Sequence, residues 1–177
     1  MEAIRIENLK KQYGDQFTLD IPSLEITPGS LTGIVGNNGA GKTTWLRLML
    51  DLIEATGGDI RIQGKPVAGS EHWKKITGSF LDEGFLIDFL TPEEFFYFTG
   101  KVYGMDKKAV DEQLAIFARF LGDEINGTNK YIRNLSTGNK QKAGIVAAMV
   151  VRPELLILDE PFNYLDPSSQ IIIRKLL

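Results

Sequence analysis

The chain has 177 residues, 43% of them hydrophobic and 24% charged, which suits one soluble globular domain with a real core and excludes a disordered or low-complexity chain. A formal net charge of −3 excludes the global basic field that would draw it to nucleic acid or anionic lipid, so any phosphate binding must be local. No cysteine means no disulfide framework and no thiolate metal site, and the single histidine, His72, excludes a multi-histidine site.

In chain order, residues 3–9 alternate polar and apolar like a half-buried strand, and Tyr13-Gly14-Asp15 predicts a turn into a second strand over 17–21. Pro28-Gly29 turns the chain into a short apolar strand, 31–35, which runs into a glycine-rich loop and then a helix over 45–52 ended by Gly57-Gly58. Residues 59–63 and 77–81 are further strand candidates, and His72 lies in the polar stretch between them as a surface residue. Thr91-Pro92-Glu93-Glu94 is a capping box with proline at the first helical position, so a helix starts there and stops near Gly104. Asp106 opens a second helix, closed by Gly122, with Val110, Leu114, Phe117 and Leu121 at helical spacing. These helices read as an inserted helical subdomain. A helix opened at Ser136 then runs to about Val151, a strand occupies 155–158, and Asp166-Pro167 opens a last helix. The longest apolar-plus-glycine run, 143–151, falls short of the roughly 20 residues that span a bilayer. The N-terminal stretch carries acids and no long apolar core, so no secretory signal is read there and a cytoplasmic address is expected.

The residues Gly36-Asn37-Asn38-Gly39-Ala40-Gly41-Lys42-Thr43 satisfy GxxxxGK[ST] between a predicted strand and a predicted helix. Glycines let the backbone wrap so that successive N–H groups face a phosphate, and the helix N-terminus adds free donors and a favourable dipole. Lys42 supplies a point charge to the β and γ phosphates, and the Thr43 hydroxyl is a hard oxygen ligand for Mg²⁺. The alternative is a glycine-rich turn with a solvated lysine.

The apolar run Leu155-Leu156-Ile157-Leu158 reads as a buried parallel strand with Asp159 and Glu160 at its C-terminal end, the edge where ligands collect in open α/β sheets. Asp159 suits the metal, and Glu160 suits polarisation of an attacking water. A solvated Asp-Glu turn is the plain alternative. The serine, glycine and two lysines of LSTGNKQK, 135–142, are either an ordinary helix cap or half of a phosphate site.

Taken together, these residues resemble the nucleotide-binding subunit of an ATP-binding cassette (ABC) transporter. GNNGAGKTT resembles its Walker A, LLILDEP its Walker B and LSTGNKQK its signature, in the family's order. The resemblance implies an α/β fold: a P-loop NTPase (RecA-like) core with an antiparallel β subdomain and an inserted α-helical subdomain. Residues 1–84 and 151–177 would form the core with its N-terminal β subdomain, and 85–150 the helical subdomain carrying the signature. It also implies ATP and Mg²⁺ as ligands, held by Gly36, Asn37, Asn38, Gly39, Ala40, Gly41, Lys42, Thr43 and Thr44, with Tyr13 stacking on adenine. Ser136 and Gly138 would contact the γ-phosphate of an ATP bound by a second nucleotide-binding subunit packed head to tail, and 163–166 resembles the D-loop. Lys42 and Glu160 would be catalytic, and Thr43, Asp159 and Asp82 would serve the metal. The implied function is an ATP-hydrolysing engine that powers transport across a membrane, of exporter type on the strength of LTPEEFFYFTGKVYG, peripheral on the cytoplasmic face and partnered by transmembrane permease subunits. No nucleic-acid partner is expected.

The sequence departs from the family pattern in three places. Asp82, or Glu83 if the register shifts by one, stands where the family has a glutamine; Thr137 and Asn139 replace a glycine and a glutamine in the signature; and no histidine follows the D-loop. The last departure implies a chain that stops before its final core strands, with impaired hydrolysis. Two rival functions remain: a soluble ABC-type ATPase acting on ribosomes or DNA, and a catalytically impaired nucleotide-binding regulator.

Overall fold

The computed structural model describes residues 3–14 and 17–177, with side chains from 19 onward in the second stretch. Asp15, the end of the predicted turn, lies outside the described residues. The chain divides into two compact units, Met1–Lys75 and Ile76–Leu177.

In the first unit a four-stranded antiparallel sheet runs in the order β2-β1-β3-β4, with β1 Ile4–Tyr13, β2 Phe17–Ile26, β3 Gly57–Ile62 and β4 Lys65–Pro66. Alternation buries Ile4 and Ile6 together with Ile60 and Ile62, as expected of a sheet with one apolar face. At Asn8, φ 49°, the alternation slips, and the β1–β3 register shifts between Glu7 and Lys10. The bulge keeps Leu9 buried, and it needs Gly58 opposite: a Cβ there would lie 2.2 Å from the Asn8 carbonyl oxygen, and φ is +82°. Gly57-Gly58 therefore opens a strand and does not end the preceding helix. That helix, α1 Lys42–Met49, stops earlier, as Asp51 turns into the left-handed region at φ 51°.

The predicted strand over 31–35 does not form: these residues pair with no strand among the described residues, and Leu31 and Val35 are 83% and 97% exposed. A strand exists only through its neighbours' donors and acceptors, and an apolar run does not say which neighbour supplies them. His72, expected at the surface, is partly buried, with Nδ1 3.3 Å from the Lys65 ammonium.

In the second unit β5 Thr77–Phe80 and β6 Leu155–Leu158 pair in parallel, Phe80 opposite Leu158. The crossover holds three helices, α2 Pro92–Val102, α3 Lys107–Leu121 and α4 Thr137–Val150, and α5 Pro167–Leu176 follows β6. The caps fall where the sequence places them. Thr91 and Glu94 form a reciprocal capping box on α2, and Asp106 caps α3 by accepting from the Ala109 N–H at 2.8 Å. Small residues let α4 lie against β5. A Cβ on Gly144 would stand 2.2 Å from the Phe80 ring, and one on Gly78 1.9 Å from the Ala148 carbonyl oxygen. Around this contact Phe96, Val110, Phe117, Phe120, Ile145 and Val146 form one buried cluster. Tyr103 reaches back from the end of α2 to donate to the Thr77 carbonyl at 2.6 Å, and burial raises its phenol pKa.

Candidate nucleotide-binding elements

The phosphate loop lies in the first unit, the carboxylates and the signature in the second. In the loop, Gly39 and Gly41 have φ of 85° and 92°, left-handed values that a side chain resists. Gly41 is the N-cap of α1, and no side chain caps that helix and no acid sits in its first turn. A helix N-terminus with no side-chain cap and no acid in its first turn is an arrangement that suits an anion. The Lys42 ammonium folds onto its own loop, donating to the Gly36 and Asn37 carbonyls at 2.8 and 3.2 Å. The loop residues 36–40 are exposed, and Thr43 and Thr44 are partly buried in the first turn of α1. Tyr13, at the end of β1, is 47% exposed, with the Lys11 ammonium 4.9 Å from its ring centroid.

In the second unit the parallel pairing brings three predicted residues to one edge. Asp82 follows β5 by two residues and Glu160 follows β6 by two, while the Asp159 N–H extends the ladder to the Phe80 carbonyl at 3.1 Å. Asp82 caps a short 3-10 turn, Glu83–Phe85, by accepting from the Gly84 N–H at 2.8 Å. Glu83 pairs with Lys140 at 3.0 Å. Glu160 adopts φ 44°, the first residue of a tight turn that Asn163 closes by donating its N–H to the Glu160 carbonyl at 3.0 Å.

Ser136 caps α4, its hydroxyl accepting from the Asn139 N–H at 3.3 Å. Thr137 is the first helical residue and has no positive φ, so replacing glycine there costs no strain. Gly138 is required for space: a Cβ would lie 2.7 Å from the Tyr164 carbonyl oxygen. Asn139, 8% exposed, donates to Glu124 at 2.7 Å. Both lysines of the motif have carboxylate partners, Lys140 with Glu83 and Lys142 with Asp166 at 3.8 Å.

Sequence reasoning placed Gln141 and Asn163 inside motifs but gave neither a contact to Glu160. Gln141, buried on α4, donates to the Glu160 carbonyl at 3.3 Å, and the Asn163 side-chain amide donates to the Glu160 carboxylate. The second was detectable as a three-residue spacing from Glu160, the reach of a single turn. Gln141 carried no such local signal.

Comparison with known proteins decides the family. The model described as ABC transporter matches residues 19–163. The chain belongs to the ABC transporter family. It is 38% identical to a bacitracin transport ATP-binding protein of Bacillus licheniformis over 98% of its own length, and spans 56% of that relative. It is 35% identical to a tungstate uptake system ATP-binding protein of Peptoclostridium acidaminophilum, covering 97% of this chain and 78% of that one. A solved ATP-binding subunit of an ABC transporter superposes with a TM-score of 0.86 at 27% identity, over 98% of this chain and 72% of the other. The fold is therefore that of an ABC cassette, an α/β P-loop NTPase with one antiparallel and one parallel sheet among the described residues. No described helix is long and apolar enough to cross a membrane.

Proposed function

We propose that this chain is the ATP-binding and ATP-hydrolysing part of a membrane transporter of export type, peripheral on the cytoplasmic face and joined to transmembrane permease subunits. The observation that carries it is the uncapped N-terminus of α1 behind a loop of left-handed glycines, with Lys42 in the first helical position. Kinship with transport ATP-binding proteins supports the transport role. These relatives include an uptake system, so the export direction rests on the resemblance of 90–104 to exporter-type subunits. For the domains, residues 1–84 and 151–177 would form the core and 85–150 the helical subdomain. The three helices between the paired strands β5 and β6 support that division.

Each residue then has a task. The loop N–H groups from Gly36 to Thr44 and the Lys42 ammonium hold the phosphates, Tyr13 offers its exposed ring to the base, and Glu160 accepts a proton from the attacking water. Thr43, Asp159 and Asp82 present a hydroxyl and carboxylates, the hard oxygen donors that Mg²⁺ takes. When bound, the metal neutralises charge on the phosphates. Ser136, Gly138 and the opening N–H groups of α4 contact the γ-phosphate of an ATP held by a second copy, so ATP joins two copies and its hydrolysis lets them part. Replacing Glu160 by Gln in the full chain tests the catalytic role. ATP binding is expected to persist while turnover falls by about 10²–10⁴-fold; turnover at the wild-type rate would place the base elsewhere.

A further inference from the structure

The turn that carries Glu160 is held at both ends of its own hydrogen-bonding capacity. Its carbonyl oxygen accepts the Asn163 N–H at 3.0 Å and the Gln141 side-chain amide at 3.3 Å. Its carboxylate accepts through Oε2 from Asn163 Nδ2. Glu160 is exposed, so burial does not restrict its side chain, and a free glutamate carries rotamer entropy comparable to that of the other long polar side chains. A general base works only within hydrogen-bond reach and correct aim of the proton it takes. A donor fixed on Oε2 leaves Oε1 as the oxygen presented to water and removes much of that rotational freedom. Gln141, 7% exposed, ties the same turn to α4, and the close approach of Gly138 to the Tyr164 carbonyl ties its far end.

We propose that Asn163 is a positioning residue for Glu160: its side-chain amide orients the carboxylate on a turn whose backbone Gln141 anchors to α4. This rests on the reading of Glu160 as the group that takes the water proton. A donor here is required by the chemistry, since aspartate, of the same shape, would turn an acceptor toward a carboxylate.

The test compares steady-state ATP hydrolysis and ATP binding of the full chain with Asn163→Ala and Asn163→Asp, each alone and combined with Glu160→Gln, using single-turnover measurement for the slow variants. The expected result is a fall in kcat of about tenfold for both single variants, with ATP affinity unchanged. Neither substitution should slow the Glu160→Gln protein further, because the group it orients has lost its function. An unchanged kcat, an Asn163→Asp variant as active as wild type, a matching loss of ATP affinity, or an equal further fall in the Glu160→Gln background would each overturn the proposal. Normal turnover by Glu160→Gln alone would instead overturn the reading of Glu160, a failure distinct from that of Asn163.

Discussion

At the scale of single residues, function and packing compete for the same few atoms. Lys42 is bound by two carbonyls of its own loop, so a phosphate arriving there exchanges weak acceptors for a charged one. Lys42→Ala should weaken ATP binding by roughly 100-fold or more, read by calorimetry, and an unchanged Kd would remove the phosphate-loop reading. Gly138 shows the other pressure. Gly138→Ala would drive a Cβ to 2.7 Å from a backbone oxygen, and a loss of about 1–3 kcal/mol in denaturant unfolding is expected. Asp166 is a third case, its carboxylate accepting from the hydroxyl and N–H groups of Ser168 and Ser169, with Lys142 nearby. The Ser168 and Ser169 hydroxyls hold its pKa well below the usual carboxylate range, with the Ser169 N–H and Lys142 adding to them. A depressed folded-state pKa means the stability it contributes is present above the unfolded value, roughly 3.9, and is lost as pH falls toward the folded one. The stability gap between wild type and Asp166→Asn should therefore be present at neutral pH and shrink as the solution is acidified below about pH 4. A gap constant down to pH 2 would contradict it.

At the scale of elements, capping and periodicity were the legible part of the sequence. The Thr91 box, the Asp106 and Ser136 caps and the Asp166-Pro167 start all appear as read, because each is a local interaction among residues two or three apart. Thr91→Ala removes one side of the box and should cost about 1 kcal/mol of stability without changing nucleotide affinity. What was not legible depended on distant partners. The apolar run 31–35 looked like a buried strand and forms none among the described residues; Gly57-Gly58 looked like a helix stop and serves a bulge made by Asn8, nearly fifty residues earlier. The spatial demand on the motif glycine at 138, whose missing side chain makes room for the Tyr164 carbonyl, was likewise not legible. Gln141 escaped for the same reason, since the Glu160 turn it holds belongs to a different element, whereas Asn163 stands three residues from Glu160 within the same turn.

At the scale of the whole molecule, the order of motifs along the chain was decisive where their separate meanings were ambiguous. A phosphate loop and an Asp-Glu pair name a broad class; the signature between them narrows it, and the match over 19–163 agrees. The chain spans little more than half of the bacitracin transport relative, so transport, partners and turnover belong to the larger assembly and stand as proposals. The central one is that this chain works in pairs, each copy lending the N-terminus of α4 to the nucleotide of the other. The most direct measurement is ATP-dependent association of the full-length Glu160→Gln protein, followed by light scattering, with and without Ser136→Arg. The account predicts a dimer with ATP and Mg²⁺ for the former, and a monomer that still binds ATP once the arginine occupies the α4 cap. Dimerisation undiminished by Ser136→Arg would contradict it.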